Sequence, residues 1–523
     1  MTKKYDSGAS LNQRILEGVS ILADNVASTL GPKGRNVILQ EKGKRPIVTK
    51  DGVTVAQFVT LQDPMQNAAA EIIKQASAET NNAAGDGTTT ATVLARAILR
   101  QAQAHLTAGA GPVELKRGMD KATEIIIDQL YEIAKPISSV EDIEHVATIS
   151  ANGDRKIGKL IAKAVDLVGK DGAVKIQEAR SVDTSLDIVE GFQFDSGYMS
   201  PSFINDERRG VANYEDAYLL VTDNSITTVD EMLPILEVIA RESKPLIIVA
   251  DNIEGQALAA LIMNSMRGTL KVAAIKAPRY GEERRNILGD LALSTGATFV
   301  TRTEDLRVKD LKLEHLGSCR SIEITPSRTT IVGGAGDYEK VEKRMEGLTA
   351  QLQETESLYD CERIQERITR LASGVAIIHV GAPTEVEMIE KKHRIEDALE
   401  AVRSAQQEGI VPGGGIALIR AASAAEVKTE NEEQAMGAEI IKRSVYEPLR
   451  QMAMNCGQSA DIIQNRVEEL EGFYGLDFSA DKEVDMIEAG IIDPVKVTRS
   501  ALQNAVSAAG TLITTNYAII QVE

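Results

Sequence analysis

Apolar residues recur at helical spacing close to the amino terminus of the chain. They stand three or four positions apart, which places them on one face of an α-helix, and Gly31-Pro32 follows as a helix-ending signal. The stripe consists of Leu11, Ile15, Val19, Leu22, Val26 and Leu30. Comparable patterns predict helices over residues 64–84, 88–108 and 112–134, and short strands over 36–39 and 46–48. The first quarter of the chain is therefore predicted to be almost entirely helical.

The pattern changes at Lys135-Pro136, where shorter elements punctuated by glycine take over. Compact runs of aliphatic residues then alternate with helical patterns, as expected of an α/β module. The predicted strands cover residues 173–178, 185–190, 218–222, 245–250, 271–275 and 298–301, and the predicted helices cover 229–242, 255–266 and 282–295. A charged pair of antiparallel helices is predicted over 337–372.

Helical patterns return in the last third of the chain. After a strand at 375–380, a long helix is predicted over 385–407, and it ends at Gly409, just before the glycine run at 413–415. Helices dominate again to about residue 467, and another follows Asp493-Pro494. Since both ends of the chain are helical, we expect them to build one domain together, with the middle of the chain inserted into it. The predicted fold class is multidomain α/β.

Composition narrows the classes of function. Lys plus Arg number 58 against 77 Asp plus Glu, a net charge of −19, which argues against a nucleic-acid partner. The longest aliphatic run, residues 245–250, is too short to cross a membrane, and no apolar leader is visible, so we expect neither a membrane span nor export. Cys319, Cys361 and Cys456 lack paired or metal-ligand spacing, which predicts reduced thiols in a cytoplasmic compartment. The histidines show no ligand spacing either, so no transition-metal site is predicted.

The segment with the strongest chemical signal is GDGTTT at 85–90, which runs directly into a predicted helix. Its glycines allow the backbone to approach a ligand, and the first N–H groups of the helix have no partner within the helix, so an anion can accept from them. Asp86 would repel a bare phosphate, but a Mg²⁺ ion between the carboxylate and phosphate oxygens removes that conflict. The segment therefore predicts a magnesium nucleotide. The alternative is an ordinary helix start, capped by Asp86 or Thr88, with solvated threonines.

Three further loops have suitable chemistry for the same ligand, at 29–32, 50–52 and 413–415. The phosphate-loop motif G-x-x-x-x-G-K-[ST] is absent from the sequence, and no G-x-G-x-x-G follows a strand, so those nucleotide-binding classes are excluded. Together with residues 491–494, these loops resemble those of the group I chaperonins of the GroEL type, and the resemblance extends from about residue 5 to residue 520. It rests most clearly on TLGPKGRNV at 29–37, GDGTTT at 85–90 and DPVKVTRSAL at 493–502.

The resemblance implies three domains. Residues 1–134 and 409–523 would form a mostly α-helical equatorial domain that binds ATP, and residues 135–190 and 375–408 a small α+β intermediate domain. Residues 191–374 would form an inserted α/β apical domain that binds polypeptides. Hinges are implied where the chain passes between domains, although glycine at such a joint is also typical of a plain turn. The implied hinge residues are Pro136, Gly191, Gly374 and Gly409.

The resemblance also assigns a nucleotide site. Asp86 matches the family's Mg²⁺ ligand, Lys50 matches a residue near the phosphates, and Asp493 is similar to the acceptor of the ribose hydroxyls. The other implied cofactor-binding residues are Thr29, Leu30, Gly31, Pro32, Gly87, Thr88, Thr89, Thr90 and Gly414. The implied cofactors are ATP and Mg²⁺, and the resemblance leaves room for K⁺.

Asp397 matches the acid that orients the attacking water in this family, with Asp51 as its helper. A carboxylate in that role polarises water at the γ-phosphate without holding the nucleotide. Taken without the resemblance, an acid beside Arg394 and Glu396 is more typical of a solvated helix face. Because Asp397 stands on the long helix after the inserted module, we expect it to reach the nucleotide only when that helix swings down, so that a hinge gates hydrolysis.

The helix predicted over 255–266 carries more apolar residues than one buried face requires, so the surplus would pack elsewhere or form an exposed patch. By resemblance, this patch captures non-native polypeptides, with roughly 25 cal/mol gained per Å² of apolar surface buried. Its implied members are Tyr198, Phe203, Leu233, Leu236, Leu258, Ile262 and Met263. Without the resemblance, these residues are typical of a core.

The function implied by the resemblance is that of an ATP-hydrolysing molecular chaperone. The protein would form a homo-oligomer of one or more seven-membered rings. The rings would capture non-native polypeptides and promote their folding. The resemblance is also compatible with a lid-like co-chaperonin as a partner. The alternative is a chaperonin-like scaffold that holds non-native chains without productive ATP cycling. The two differ in whether Asp397→Ala reduces activity.

Overall fold

The computed structural model describes residues 2–41, 43, 46–169, 173–179, 181–207, 209–301, 306–355, 357–372 and 374–522. The chain divides into two compact units. The first unit consists of Met1–Lys163, Glu178–Thr184 and Val380–Glu523, and the second of Ala164–Gln177 and Ser185–His379. The first unit is thus built from both ends of the chain and the second from its middle. The finer division into three domains stays a prediction.

Helices account for most of the first unit, and α8 to α12 lie in the second unit. In chain order the helices are α1 (Gly8–Ala27), α2 (Gly52–Phe58), α3 (Pro64–Ala84), α4 (Thr88–Thr107), α5 (Pro112–Ile133), α6 (Val140–Ser150), α7 (Arg155–Val168), α8 (Leu233–Glu242), α9 (Gly255–Met266), α10 (Gly281–Thr295), α11 (Tyr338–Glu354), α12 (Leu358–Ala372), α13 (Glu385–Glu408), α14 (Ile416–Ala424), α15 (Glu432–Ser444), α16 (Glu447–Asn455), α17 (Ala460–Glu468) and α18 (Val495–Ile513).

Most strands belong to the second unit. They are β1 (Thr2–Ser7), β2 (Val37–Leu39), β3 (Ile47–Thr49), β4 (Ala173–Glu178), β5 (Ser185–Phe194), β6 (Ala212–Thr222), β7 (Ser225–Ile226), β8 (Leu246–Ala250), β9 (Asn252–Ile253), β10 (Val272–Lys276), β11 (Phe299–Val300), β12 (Gly317–Ile324), β13 (Thr329–Gly334), β14 (Gly374–Val380), β15 (Ile410–Pro412), β16 (Tyr474–Asp477), β17 (Lys482–Asp485), β18 (Ile492–Pro494) and β19 (Tyr517–Val522).

The core of the first unit lies among α1, α3, α4, α5, α15 and α18. The stripe predicted for α1 is buried, with Leu11, Val19 and Leu22 almost completely inaccessible. The two ends of the chain meet in this unit where β1 pairs with β19, and within the carboxy-terminal segment β15 pairs with β18. The second pairing places Val411 opposite Asp493, and so joins two of the loops singled out from the sequence.

The second unit contains a mixed sheet with the strand order β10-β8-β6-β12-β13-β5-β14-β4, and β11 pairs with β6. The strands β6, β8 and β10 run parallel, whereas β12, β13, β5 and β14 are paired antiparallel. All five residues of β8 are buried in the core of this unit, as is typical of a central parallel strand in an α/β fold. The prediction of a multidomain α/β fold is confirmed.

The structure differs from the predicted elements mainly at their ends. The helix predicted over 229–242 is instead a 3₁₀ turn at Val229–Glu231 followed by α8, because Pro234 lacks an N–H group and so suits the first turn of a new helix. The strand predicted over 185–190 continues as β5 to Phe194. In the part of the chain that the structure describes, no helix combines the length and apolarity needed to cross a bilayer.

Candidate functional site

The segment that joins α3 to α4 leaves the start of α4 open. Gly85 ends α3 with a φ of 75°, and Gly87 precedes α4 with a φ of 93°, both in the left-handed region that favours glycine. Within the described residues, no side chain caps the start of α4. The alternative in which Asp86 or Thr88 caps this helix is therefore wrong. The first N–H groups of α4 are available to an anion.

Asp86 is fixed beside this helix start by two hydrogen bonds. The N–H of Gly87 donates to Oδ1 at 2.6 Å, and the hydroxyl of Ser150 donates to Oδ2 at 3.0 Å. Burial raises the pKa of Asp86 above its usual range, the two hydrogen bonds oppose that shift, and the charge of Asp51 adds to it. No local sequence pattern indicates this role of Ser150, since it lies 64 residues from Asp86, at the end of α6.

A second half-buried carboxylate, Asp493, lies near enough to Asp86 for their charges to interact. Burial raises its pKa to about 7, and the charge of Asp86 adds to the shift. Asp493 also borders the glycine run after β15, because a Cβ atom added to Gly413 would lie 3.2 Å from Asp493 Oδ1. The charged forms of both carboxylates are thus disfavoured at one place, where a cation would offset the repulsion.

The glycine run opens a second helix start. Gly414 and Gly415 have φ values of 65° and 80°, and Gly415 precedes α14 with no side-chain cap among the described residues. A Cβ atom at Gly414 would lie 2.8 Å from the Met486 methyl carbon, so the chain is closely packed on that side. Glycine is required here both by conformation and by space.

The loop that follows α1 contacts the threonines of the GDGTTT segment. The hydroxyls of Thr29 and Thr89 lie 3.4 Å apart, and a Cβ atom on Gly52 would lie 2.2 Å from Thr89 Oγ1. Lys50 donates from Nζ to the carbonyl oxygen of Gly31 at 3.3 Å. The structure thus brings the loops at 29–32, 50–52 and 85–90 together. The fourth loop, at 413–415, borders Asp493, whose charge interacts with that of Asp86.

These residues fit a magnesium nucleotide better than a metal held by protein alone. Among the described residues, no group of three or more His, Cys, Asp or Glu side chains is placed to hold a metal ion. Mg²⁺ is typically bound by one or two carboxylates together with phosphate oxygens and water. Half-buried Asp86, two open helix starts and Lys50 supply the protein's share of such a site. The assignments of individual residues stay predictions.

Asp397 lies on α13, which is packed against the same loops. Glu400, one turn further on, contacts Gly85 so closely that a Cβ atom on the glycine would lie 2.1 Å from Glu400 Cβ. Burial lowers the pKa of Lys50, and the charge of Arg394, one turn before Asp397, lowers it further. In this structure α13 therefore already lies along the loops, and the swinging motion stays a prediction about other states.

Asp51 is the N-cap residue of α2. Its carboxylate caps α2 by accepting hydrogen bonds from the N–H groups of Val53 at 3.1 Å and Thr54 at 3.0 Å, and from the Thr54 hydroxyl. An N-cap of this kind stabilises a helix by about 1 kcal/mol. Asp51 is thus held in place next to Lys50, and its predicted part in hydrolysis would be exerted through its charge.

The four predicted hinge residues occupy two different settings. Gly409 ends α13 with a φ of 86°, and a Cβ atom there would lie 2.6 Å from the carbonyl oxygen of Lys135, the neighbour of Pro136. Lys135 and Ile410 exchange two backbone hydrogen bonds, at 2.9 and 2.7 Å. Gly191 and Gly374 instead lie within β5 and β14, where close packing excludes a side chain. The hinge motion itself stays a prediction.

The predicted polypeptide-binding residues are not equally exposed. Leu233 and Met263 are 46% and 49% exposed, whereas Tyr198, Leu258 and Ile262 are half-buried against the core of the second unit. The expectation that Phe203 and Leu236 are exposed is wrong, since they are only 1% and 6% exposed. Phe203 lies in a 3₁₀ turn that contacts α9 and β10, and Leu236 is on the face of α8 that packs on the core. Met266 and Tyr280, which were not predicted, are strongly exposed.

A helical unit made from both ends of a chain, with open helix starts and half-buried carboxylates at its loops, and an α/β unit made from the middle together define a chaperonin subunit. The family model described as the TCP-1/cpn60 chaperonin family matches residues 22–523. The chain belongs to this family, and the resemblance noted from the sequence is confirmed.

A solved structure agrees with this assignment. The chain is similar to the chaperonin gp146 from the bacteriophage EL 2 (Pseudomonas aeruginosa), crystallised in the presence of ATP-BeFx, with a TM-score of 0.67, 22% sequence identity and 99% of each chain covered. At this level of identity the likeness establishes the fold. The shared fold extends over both units of the chain.

Proposed function

We propose that this chaperonin is an ATP-dependent chaperone that captures non-native polypeptides and promotes their folding through the binding and hydrolysis of Mg-ATP. The observation that carries the proposal is the pair of half-buried carboxylates, Asp86 and Asp493, both with raised pKa, at the uncapped start of α4. A folded protein rarely tolerates such a pair unless a ligand compensates their charge. The presence of ATP-BeFx in the crystals of gp146 supports the same choice of ligand.

In this proposal, different residues of the loops bind the metal ion, the phosphates and the ribose. Asp86 holds Mg²⁺, and the start of α4 with Thr88, Thr89 and Thr90 binds phosphate oxygens. Mg²⁺ bound there would draw negative charge from the triphosphate and so favour cleavage. Asp493 accepts hydrogen bonds from the ribose hydroxyls. The other predicted contacts are supplied by Thr29, Leu30, Gly31, Pro32, Lys50, Gly87 and Gly414, and K⁺ as a second cation follows from the resemblance alone.

Asp397 orients the attacking water in this proposal. Its helix, α13, lies against Gly85 and is joined to the second of the open glycine loops through Gly409. A carboxylate acting as general base contributes a factor of about 10² to 10⁴ in rate. Asp51, fixed by its capping hydrogen bonds, adds negative charge that would favour transfer of the water's proton to Asp397.

The polypeptide-binding surface is proposed in a corrected form. Leu233 and Met263 are its exposed members, and Tyr198, Leu258 and Ile262 form its half-buried floor. Phe203 and Leu236 support that floor from the core instead of contacting polypeptides. Since apolar burial depends on area rather than on sequence, this surface suits many different non-native chains.

Two exposed ribbons in the first unit support assembly into homo-oligomers. The pair β2–β3 and the pair β1–β19 are each two-stranded in the described chain, and both expose large apolar side chains. The exposed residues are Tyr5, Ile38, Ile47, Tyr517 and Ile519. Strand edges of this kind pair readily with another chain. Seven-membered rings and a lid co-chaperonin follow from the resemblance and are part of the proposal.

The three cysteines, Cys319, Cys361 and Cys456, are free, as predicted. Burial raises the pKa of the Cys319 thiol to about 12, which keeps it protonated and unreactive. Free thiols suit a reducing compartment, and a cytoplasmic location is proposed on that basis.

The test separates ATP cycling from passive holding. Purified protein is assayed for Mg-ATP binding, for phosphate release and for refolding of a chemically denatured client, with Asp397→Ala as the test variant and Glu387→Ala, on the exposed first turn of the same helix, as the control. We expect Asp397→Ala to bind Mg-ATP normally but to release phosphate at least about 10²-fold more slowly, with loss of refolding. Normal refolding by Asp397→Ala would favour the passive scaffold.

A further inference from the structure

A row of polar side chains joins α4 to the loop after α1 by way of α16. Arg96 on α4 donates from Nη2 to Gln451 Oε1 at 3.0 Å, and Gln451 donates from Nε2 to Asn455 Oδ1 at 3.0 Å. Asn455 donates from Nδ2 to the carbonyl oxygens of Ala27 and Leu30, both at 2.9 Å. We call Arg96, Gln451 and Asn455 the α16 ladder. One end of the ladder is on α4, which begins in the predicted phosphate-binding segment 85–90. The other end contacts the predicted phosphate-binding loop at 29–32.

The α4 end of the ladder is anchored by a buried cation. Arg96 is only 7% exposed, and besides Gln451 it contacts Asp24 on α1 at 2.6 Å and Glu447 on α16 at 3.4 Å. A buried guanidinium group is strongly destabilising when its partners are lost, so these contacts hold α1, α4 and α16 in a fixed arrangement. Arg96 lies about two turns after the Thr88 start of the same helix, which makes α4 a rigid connection to the open helix end.

The other end of the ladder determines where a backbone N–H group points. The peptide unit between Leu30 and Gly31 is planar and trans, so the carbonyl of Leu30 and the N–H of Gly31 point in opposite directions. Because Asn455 holds that carbonyl toward α16, the Gly31 N–H is directed away from α16. This N–H donates to no acceptor in the described part of the chain. Asn455 thereby orients a free donor of the loop.

The choice of asparagine at position 455 follows from its hydrogen-bonding groups. One amide nitrogen supplies two N–H donors for two carbonyl oxygens, while its oxygen accepts from Gln451. An ionised aspartate has the same shape but no donor, and it would face two carbonyl oxygens. The side of α16 also limits the loop sterically, since a Cβ atom on Gly31 would lie 2.8 Å from Met452 Cγ.

We propose that the α16 ladder sets the position of the loop at 29–32 relative to the start of α4, and that Asn455 is a positioning residue of the nucleotide site. It touches no ligand itself but fixes the direction of the Gly31 N–H, which binds a phosphate oxygen. This inference rests on the proposed function, because it requires that the two loops hold one phosphate chain. A helix that holds both loops also gives nucleotide binding a direct connection to α17, since Arg450 on α16 contacts Asp461 at 2.7 Å.

The ladder is tested with Asn455→Asp, which changes the donors of one side chain and almost nothing of its volume. Asn465→Asp on α17, an exposed site, is the matched control. Mg-ADP affinity is measured by calorimetry, phosphate release is measured at saturating Mg-ATP, and amide exchange over residues 28–34 is followed by mass spectrometry. We expect Asn455→Asp to bind Mg-ADP about tenfold more weakly, since two hydrogen bonds that orient the loop are lost. Its exchange over 28–34 should be faster, and its saturated rate should change less than about threefold.

A second variant covers the case in which Asn455→Asp does not fold. Gln451→Glu keeps an acceptor for Arg96 and removes only the N–H donor to Asn455, so we expect a smaller loss of affinity in the same direction. Affinity within about twofold of the wild type in a folded Asn455→Asp protein overturns the inference and leaves the proposed function standing. If Asn455→Asp does not fold, unchanged affinity of Gln451→Glu overturns it in the same way. Failure of the wild type to bind Mg-ADP at all overturns the proposed function instead, and the ladder with it.

Discussion

Replacing Asp493 with asparagine should stabilise the nucleotide-free protein at alkaline pH and weaken nucleotide binding. Burial and the charge of Asp86 raise the pKa of Asp493 from 3.8 to about 7. Between these two values the folded protein keeps a proton that the unfolded chain has released, so stability falls as the pH rises through this window. Asparagine cannot titrate, so its advantage over the wild type grows as the pH rises from about 4 and is complete above about pH 7. The gain from the substitution is therefore absent only on the acidic side of this window.

The size of the effect follows from the pKa difference. A shift from 3.8 to about 7 corresponds to about 4 kcal/mol at most, since one pKa unit is worth about 1.4 kcal/mol. Asp493 is not wholly shielded from solvent, because its side chain retains some accessible surface. We therefore expect a gain of about 1–2 kcal/mol for Asp493→Asn at pH 8.5, which amounts to roughly 2–4 °C in the melting temperature of a chain with large units.

The assay is scanning calorimetry of wild type and Asp493→Asn at about pH 4 and about pH 8.5, without nucleotide. The two proteins should melt within about 1 °C of each other at pH 4, where Asp493 is largely protonated in the unfolded as well as the folded state, and should differ at pH 8.5. Asp166→Asn, at an exposed position of α7, is the control and should show no such dependence. In a second arm, saturating Mg-ADP should stabilise the wild type more than the variant. A melting difference that is the same at both pH values would refute the reasoning.

Four further predictions concern other parts of the molecule. Ser150→Ala should weaken Mg²⁺-dependent ADP binding several-fold by calorimetry, since Asp86, the proposed Mg²⁺ ligand, loses a hydrogen-bond donor worth about 1 kcal/mol; unchanged Mg²⁺ dependence would contradict it. Gly409→Ala should lower the melting temperature by several degrees, because its Cβ atom would lie 2.6 Å from a backbone oxygen. Phe203→Ala should destabilise the fold by about 3–5 kcal/mol in urea titrations. Met263→Ser should leave stability unchanged and weaken client binding, and equal stability of these last two variants would refute their assigned places.

Local signals made many elements predictable. The bounds of α3 match the predicted 64–84, because Asp63 caps the helix and Pro64 begins it, while Gly85 ends it. The bounds of α9 match the predicted 255–266 for a similar reason, since Gly255 marks its start after an extended residue. Caps and glycines act over a few residues, so a single sequence contains all the information needed to find them.

Contacts between distant segments were not predictable in this way. Ser150 and Asp86 lie 64 residues apart, and Asn455 reaches Leu30 across 425. Nothing near Asn455 in the sequence indicates a partner, because its role comes from packing of α16 beside the end of α1. The same limit explains Phe203 and Leu236. When apolar residues cover more than one face, periodicity does not identify which face is buried.

The repulsion between Asp86 and Asp493 destabilises the first unit, yet the same pair of carboxylates suits a positively charged ligand. Asp86 and Asp493 come from opposite ends of the chain, and the fold of the first unit presses them together in spite of their repulsion. A core would be more stable with one of them neutral, so their ionised forms make sense where a ligand supplies positive charge. In the proposed function, binding of Mg-ATP would offset this repulsion and so stabilise the contact between the two ends of the chain. Nucleotide occupancy and the stability of the first unit would then be linked through the same two carboxylates.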